Sequence, residues 1–431
     1  MTHSIGVVQW RVRGAWLGLM ALSAVAPSSG QGVQVYDMIT AGLPSNTVRA
    51  ILPLADGDVW AGTDWGLCHF DGTDWEVLQV GTSGLPENDI RSLALDSSGV
   101  LWVGTFSAGL VRYDAGAASW TVYNAQNSGL PADQVRALHV DPWGHLWVGT
   151  PNGLARFDGA LWQVFDDSPN SYAGLILPGS NITEVIVRPD SVAVIGTVNG
   201  GFVYLASTGV TFFNTFNDGL PDNTALGIAI DQAGDRWSAC PAGALLRHAG
   251  SYQGGVWNQY SSLNSFIPSN SLNDVAIDAA DRKIIATQNA GLAIFEGLNT
   301  WSVFNSNNSD LPDDEVLTVT VDPVDGIWAG TATGGLVHIA SPSGVPGPHQ
   351  NSTFRYSWSE DGRSIQLFGR DVDKVLHAEI LDAAGRSALN GLLPVQGRVI
   401  LDGLELAPGI YLLALSDRLG HVLGMIRIPI G

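Results

Sequence analysis

The amino-acid sequence predicts an all-β protein, a seven-bladed β-propeller followed by a small antiparallel β-sandwich domain. Three observations support this: a tryptophan-centred string that returns seven times, a proline marker that returns in step with it, and an apolar period of two inside every unit. The strings DVWAGT, VLWVGT, HLWVGT, AVIGT, DRWSAC, KIIAT and GIWAG set a large apolar residue at Trp60, Trp102, Trp147, Ile195, Trp237, Ile285 and Trp328, at intervals of 42, 45, 48, 42, 48 and 43 residues. Independently, GLP, GLP, GLP, ILP, GLP, FIP and DLP place proline at 44, 86, 131, 178, 221, 268 and 312.

Taken from the amino terminus, residues 1–30 read as a secretory signal peptide: Arg11 and Arg13 precede an uncharged apolar run from Ala15 to Ala26, and small residues follow. Twelve apolar residues are too few to cross a bilayer about 30 Å thick as a helix. The ring is expected over residues 31–340. Its first unit runs Thr47 to Leu54, turn, Asp58 to Thr63, turn, Leu67 to Phe70, turn, Trp75 to Val80. Four short antiparallel strands at a period of 40–50 residues suit a propeller blade, whereas a helical solenoid would show a 3.6 period.

Six units end in a strand resembling Trp-x-x-Phe, but the seventh stops after Leu336 to Ile339. The missing strand stands at the front, where VQVYDM (33–38) precedes the first GLP as WTVYNA precedes the third. A strand over residues 33–37 is therefore expected to close the last blade and cover its edge. Residues 341–352 form a Pro, Gly and Ser linker, and residues 353–431 read as short strands separated by turn signals.

Composition limits the partners. The 431 residues carry 20 Lys plus Arg against 41 Asp plus Glu, a net charge of -21, which excludes a duplex nucleic-acid partner. The acidity belongs to the ring: residues 31–350 hold 10 basic and 32 acidic residues, and residues 351–431 hold 8 and 9. Two cysteines, Cys68 and Cys240, make neither a disulfide scaffold nor a cysteine metal site. Aspartates of the Asp-x-x-Gly turns, such as Asp96 to Gly99 and Asp141 to Gly144, are read as turn formers, since nothing spaces ligands as a calcium loop does. No metal site and no cofactor is assigned. There is no G-x-S-x-G elbow, H-E-x-x-H pair or glycine-rich phosphate loop.

The repeated string GLPSNTVRAILPLADGDVWAGTDWGLCHFDG, echoed as GLPENDIRSLALDSSGVLWVGTFSAGLVRYDAG and GLPADQVRALHVDPWGHLWVGTPNGLARFDG, resembles the two-component regulator propeller repeat. In that family such propellers commonly form extracytoplasmic sensory regions upstream of a membrane-spanning kinase. This chain shows no later transmembrane helix, phosphoacceptor region or kinase. VLHAEILDAAGRSALN followed by VILDGLELAPGIYLLALSD is similar to the type A carboxy-terminal sorting domain of the type IX secretion system of Bacteroidetes. The matching residues are Asp382, Gly385 and Arg386 in the D-x-x-G-R turn, with Leu404, Pro408, Gly409, Ile410 and Tyr411 in the L-x-x-x-P-G-h-Y segment. The resemblance implies export through the periplasm by the type IX machinery to the cell surface or medium.

Two sets of contact residues follow from propeller geometry. Loops joining second to third strands share one face with the blade-to-blade connections, giving Asp64 and Trp65, Phe106, Asn152, Asn199 and Gln288 among others. Trp65 and Phe106 in adjacent blades form either a stacking platform or ordinary loop packing. Eleven residues before each marker stand Arg49, Arg91, Arg136, Glu184, Leu226, Asp274 and Leu317. The three arginines make either an anion pocket at the channel wall or pairs with Asp89, Asp133 and neighbouring loop carboxylates. The function expected is a secreted or cell-surface recognition protein for a glycan, a peptide or an envelope protein. The alternative is a carbohydrate-active hydrolase or lyase built on loop carboxylates, such as Asp64 with Asp222 or Asp314.

Overall fold

Seven four-stranded antiparallel sheets account for residues 33–339. The computed structural model describes residues 33–340 except 253, 298, 299, 324 and 325, together with the backbone of seven later strands between Arg355 and Ile430. The signal segment and the linker lie outside the described residues.

In blade one, Val48–Pro53 pairs with Val59–Thr63, that strand with Gly66–Phe70, and the last with Trp75–Leu78. The first strands of the other blades are Ile90–Leu95, Ala137–Val140, Ile182–Val187, Gly227–Ile230, Leu272–Ile277 and Val316–Val321. Each contacts the first strand of the blade before and after it, and the last contacts the first, so the seven form a closed inner ring. Val33–Tyr36 pairs antiparallel with Leu336–Ile339, Val33 opposite Ile339 and Tyr36 opposite Leu336. The seventh sheet is thus built from both ends of the ring.

Repeated residues hold this frame. Trp60, Trp102, Trp147, Trp237 and Trp328 are all buried. In blades two, three, five and seven, the turn aspartate accepts the indole Nε1–H: Asp96 from Trp102 at 3.1 Å, Asp141 from Trp147 at 2.9 Å, Asp231 from Trp237 at 2.9 Å and Asp322 from Trp328 at 3.1 Å. The other Asp141 oxygen accepts the Trp143 and His145 amides, and Gly144 takes φ 87° to complete that turn. Burial pushes the Asp141 carboxyl upward, but these bonds outweigh it and hold it below the usual carboxylate range.

The proline marker has a similar cause. Two residues after each proline, the side chain of Asn46, Asn88, Asp133, Ser180, Asn223, Asn270 or Asp314 accepts a backbone N–H from the end of the preceding strand, at 2.7–3.1 Å. Asp133 and Asp314 are therefore braces of the blade-to-blade connection.

Two blades differ in register from the sequence expectation. Thr63, Thr105, Thr150, Thr197, Thr287 and Thr331 each donate a side-chain hydrogen bond to a glycine carbonyl opening the third strand. Counting back three residues from these threonines gives Trp60, Trp102, Trp147, Val194, Ile284 and Trp328. Val194 and Ile284, not Ile195 and Ile285, occupy the tryptophan position. In blade five Cys240 replaces the threonine, and both cysteines are buried and free.

Beyond the ring, the strands Arg355–Trp358, Ser364–Phe368 and Arg398–Ile400 form one antiparallel sheet. Ser387–Leu392, His377–Leu381, Gly409–Ser416 and Val422–Ile430 form another, in that order. Ser387–Leu392 was not anticipated from sequence, because SALNGL has little of the β-branched content that marks a strand. Gly409 and Tyr411 lie on the strand Gly409–Ser416. Asp382, Gly385, Arg386, Leu404 and Pro408 lie outside the described residues.

Candidate functional site

Arg49, Arg91 and Arg136 stand side by side in blades one to three and line the mouth of the central channel, a cavity of about 380 Å³. Backbone irregularity aims them there. In blades one and two the pairing register skips between Val48 and Ala50 and between Ile90 and Ser92, so each arginine occupies a β-bulge. The same skip occurs at Thr183, Asn273 and Leu317. The level ring around the mouth is therefore Arg49, Arg91, Arg136, Thr183, Leu226, Asn273 and Leu317. Glu184 and Asp274, expected in that ring, sit one residue farther along, which follows from the one-residue correction of the marker in blades four and six.

The arginines are only partly paired. Arg91 Nη2 donates to Asp89 Oδ2 at 2.7 Å, but its Nε is buried without an acceptor. Arg136 donates to Asn181 and, at 3.3 Å, to Gln134 Oε1. Asp133 does not take part, since its carboxylate braces Ala125 N at 2.7 Å. Arg49 has no hydrogen bond or ion pair among the described residues, and its Nε is also buried and unsatisfied. Burial, then the neighbouring Arg91 charge, pulls the Arg136 pKa below the usual guanidinium value. Two like charges held together with unmet donors suit a doubly coordinated anion better than a fully satisfied strut.

Deeper in the same channel, in a cavity of about 580 Å³, lie Glu184 and Asp274. Burial, reinforced by the Asp274 charge, pushes the Glu184 carboxyl up to about 8. Burial raises Asp274 to about 6, against hydrogen bonds from Val319 N at 3.0 Å, Thr318 Oγ1 at 3.0 Å and Val275 N at 2.8 Å. Gly227 makes room for Asp274, since a Cβ there would fall 2.4 Å from Asp274 Oδ1. The channel is thus cationic at its mouth and carries a coupled acid pair farther in.

The loop residues fall into two groups. Phe106 lies under Arg91, whose guanidinium carbon is 4.5 Å from the ring centroid, and Gln288 Nε2 donates to Asn273 Oδ1 at 3.1 Å, so both belong to the mouth. Asp64, Trp65, Asn152 and Asn199 stand on the loops outside it. Trp65 is 61% exposed and makes no ring contact with Phe106 or any other described residue, so the two aromatics do not form one platform. Asn199 holds φ 64°.

Two of the three loop acids named for hydrolysis, Asp222 and Asp314, brace loops. Asp222 Oδ2 accepts Ala242 N at 2.9 Å, and Asp314 accepts Ser306 N at 2.7 Å and Ser306 Oγ at 3.1 Å. The acid pair Glu184 and Asp274 was missed in that role because sequence alignment of the blades placed both among the arginines.

Three stretches, 42–65, 84–107 and 129–152, match the two component regulator propeller family, and each runs from a GLP marker to the loop after the second strand. No curated protein matches the chain by sequence. Among solved structures, the extracellular domain of a hybrid two-component system from B. thetaiotaomicron is similar at a TM-score of 0.60, with 19% identity over 92% of this chain and 54% of that one. PorZ, an essential bacterial surface component of the type-IX secretion system of Porphyromonas gingivalis, gives 0.54, with 18% identity over 89% and 59%. Virginiamycin B lyase from Staphylococcus aureus gives 0.56, with 13% identity over 71% and 98%. The chain spans little more than half the length of the first two. At these identities the likeness is one of fold: a seven-bladed propeller whose first three blades carry two-component regulator propeller repeats.

Proposed function

We propose that the protein is an exported recognition propeller that binds an anionic group, on a glycan, a peptide or an envelope protein, at the arginine-lined mouth of its channel. The observation that carries this reading is the pair of buried, unsatisfied Nε donors on Arg49 and Arg91 beside Arg136. A ligand carboxylate or sulfate would satisfy them, and Phe106 beneath Arg91 offers a face for its non-polar part. In an otherwise acidic protein, three guanidinium groups in adjacent blades, of which Arg91 pairs with Asp89, make a local cationic well that draws anions in.

Export rests on the leader over 1–30, on the sorting-domain resemblance of residues 353–431, taken as a β-sandwich after a linker at 341–352, and on the fold likeness to PorZ. No helix among the described residues is long and apolar enough to cross a membrane. On this reading the type IX machinery is a partner, and the ring works outside the cytoplasm.

The test is a binding screen of the full chain against carboxylated and sulfated glycans and acidic peptides, repeated with Arg49→Gln/Arg91→Gln/Arg136→Gln. Saturable binding to an acidic ligand, weakened at least tenfold in the triple variant, is expected. Unchanged binding in that variant, or failure of every acidic ligand to bind, would overturn the reading.

A second reading, a carbohydrate-active hydrolase or lyase, draws on Glu184 and Asp274, whose unequal pKa values give one proton-holding and one ionised carboxyl near neutral pH. Turnover of a sugar polymer abolished by Glu184→Gln would favour it over recognition alone.

A further inference from the structure

The blades meet through aromatic wedges, and the wedge between blades three and four lacks two of the rings. Trp60 meets Tyr113 of the next blade at 6.1 Å, and Tyr113 stacks on Trp120 at 4.0 Å. Trp102 meets Phe157 at 6.2 Å, which stacks on Trp162 at 4.5 Å. Trp237 meets Phe295 at 5.9 Å, which stacks on Trp301 at 4.7 Å. For Trp147 the corresponding cross-strand pair in blade four is Leu205 with Val210. Two aromatic rings are absent there, and a cavity of about 460 Å³ lies between blades three and four.

The walls of that cavity are built for a flat ligand. Trp147 and Phe165 are buried and stack on each other, with centroids 5.8 Å apart and planes 15° apart. Trp143 and Tyr172, both on the lining, expose 51% and 44% of their surface. Arg156 also lines it, 5.5 Å from the Trp147 centroid, with its Nε buried and without an acceptor and no ion pair among the described residues. The nearby acids are engaged: Asp141 Oδ2 takes Trp147 Nε1 and His145 Nδ1, each at 2.9 Å, and Asp158 accepts the Ala160 and Leu161 amides at 2.9 and 2.7 Å.

We propose that this wedge is a second ligand site, distinct from the channel mouth, and that it takes a flat aromatic carboxylate. The ligand ring fills the place of the two missing side chains beside Trp147, where offset or edge contacts with Trp143 and Tyr172 complete an aromatic enclosure. Its carboxylate meets Arg156, whose planar fork fits two oxygens and whose stranded donor gains an acceptor. The volume is within the range of sites that bury small organic ligands.

The experiment uses the full chain with indole-3-acetate as probe and indole-3-acetamide, the same ring without charge, as comparator, read by saturation-transfer NMR. Wild-type protein binds the acetate at least tenfold more tightly than the amide. Arg156→Gln removes that preference and leaves amide binding unchanged, while Leu205→Phe/Val210→Trp refills the wedge, abolishes binding of both and raises Tm. Because the mouth also takes carboxylates, the wedge is read as the part of acetate binding that Arg156→Gln removes, and Arg91→Gln leaves that part intact, so this test and that of the mouth can fail separately. If the double variant does not fold, Arg156→Gln alone decides. Absence of acetate binding to the wild type, an unaltered preference in Arg156→Gln, or loss of binding in Arg91→Gln would each overturn the proposal.

Discussion

Blades one to three and blades four to six share one backbone plan and differ in what fills it. The first three carry tryptophan at the wedge position and match the repeat family. The next three depart from it repeatedly. Val194 and Ile284 replace tryptophan, Arg236 and Lys283 are buried at strand starts, Glu184 and Asp274 occupy the channel, and the wedge before blade four lacks two aromatic rings. Regular blades hold the ring by aromatic packing. Irregular blades keep aromatic contacts such as Trp237 with Phe295 and add polar networks to them, and there most of the buried ionisable groups collect.

Replacing the wedge side chain in each half tests the contrast most severely. Trp102→Ala removes a buried ring that meets Phe157 and the Asp96 carboxylate, and should cost about 3–5 kcal/mol in denaturant unfolding, against about 0.5–1.5 kcal/mol for Ile284→Val. Equal costs would mean that the tryptophans do not carry the regular half.

The polar half is probed by Tyr204→Phe. The Tyr204 hydroxyl accepts from Arg236 Nε at 2.9 Å and contacts His248 Nδ1 at 2.6 Å, in a cluster where Arg236 is 1% exposed. Burial, then the Arg236 charge, drives His248 down to about 4, so the imidazole is neutral and Arg236 is the cation that needs the oxygen. Losing that hydroxyl leaves buried donors unmet and should cost about 1–3 kcal/mol. A smaller loss would show that water replaces it.

The dependence on pH separates the channel acids from the frame. Glu184 holds its proton more tightly folded than unfolded, so its contribution is present below the unfolded value of 4.5 and is lost as pH rises through about 8. Glu184→Gln should therefore raise Tm at pH 9 and leave Tm at pH 4 nearly unchanged. An equal shift at both pH values would assign the effect to packing.

The same contrast explains what was legible in the sequence. The blade number could be read because the tryptophan string and the proline marker recur in step, and the strand that completes the seventh sheet because VQVYDM stands before the first GLP as other fourth strands stand before theirs. Where tryptophan is replaced, its string no longer marks its own position. Ile195 was aligned in place of Val194, and Glu184 moved into the arginine ring with it. The Gly-Thr at 196–197 and Ala-Thr at 286–287 carried the correction, because that threonine hydroxyl fixes the strand end. The incomplete wedge between blades three and four was not legible at all. It depends on Leu205 and Val210 facing Trp147 across two blades, a neighbour relation that no single repeat contains.

The pairing of Val33–Tyr36 with Leu336–Ile339 also sets an order of events. The partner of Val33 lies about three hundred residues downstream, so at roughly 5–20 residues per second the early segment waits about 15–60 s before its neighbour has been synthesised. Until then every completed blade belongs to an arc with two sticky ends. Circularisation is a late event in the life of the chain.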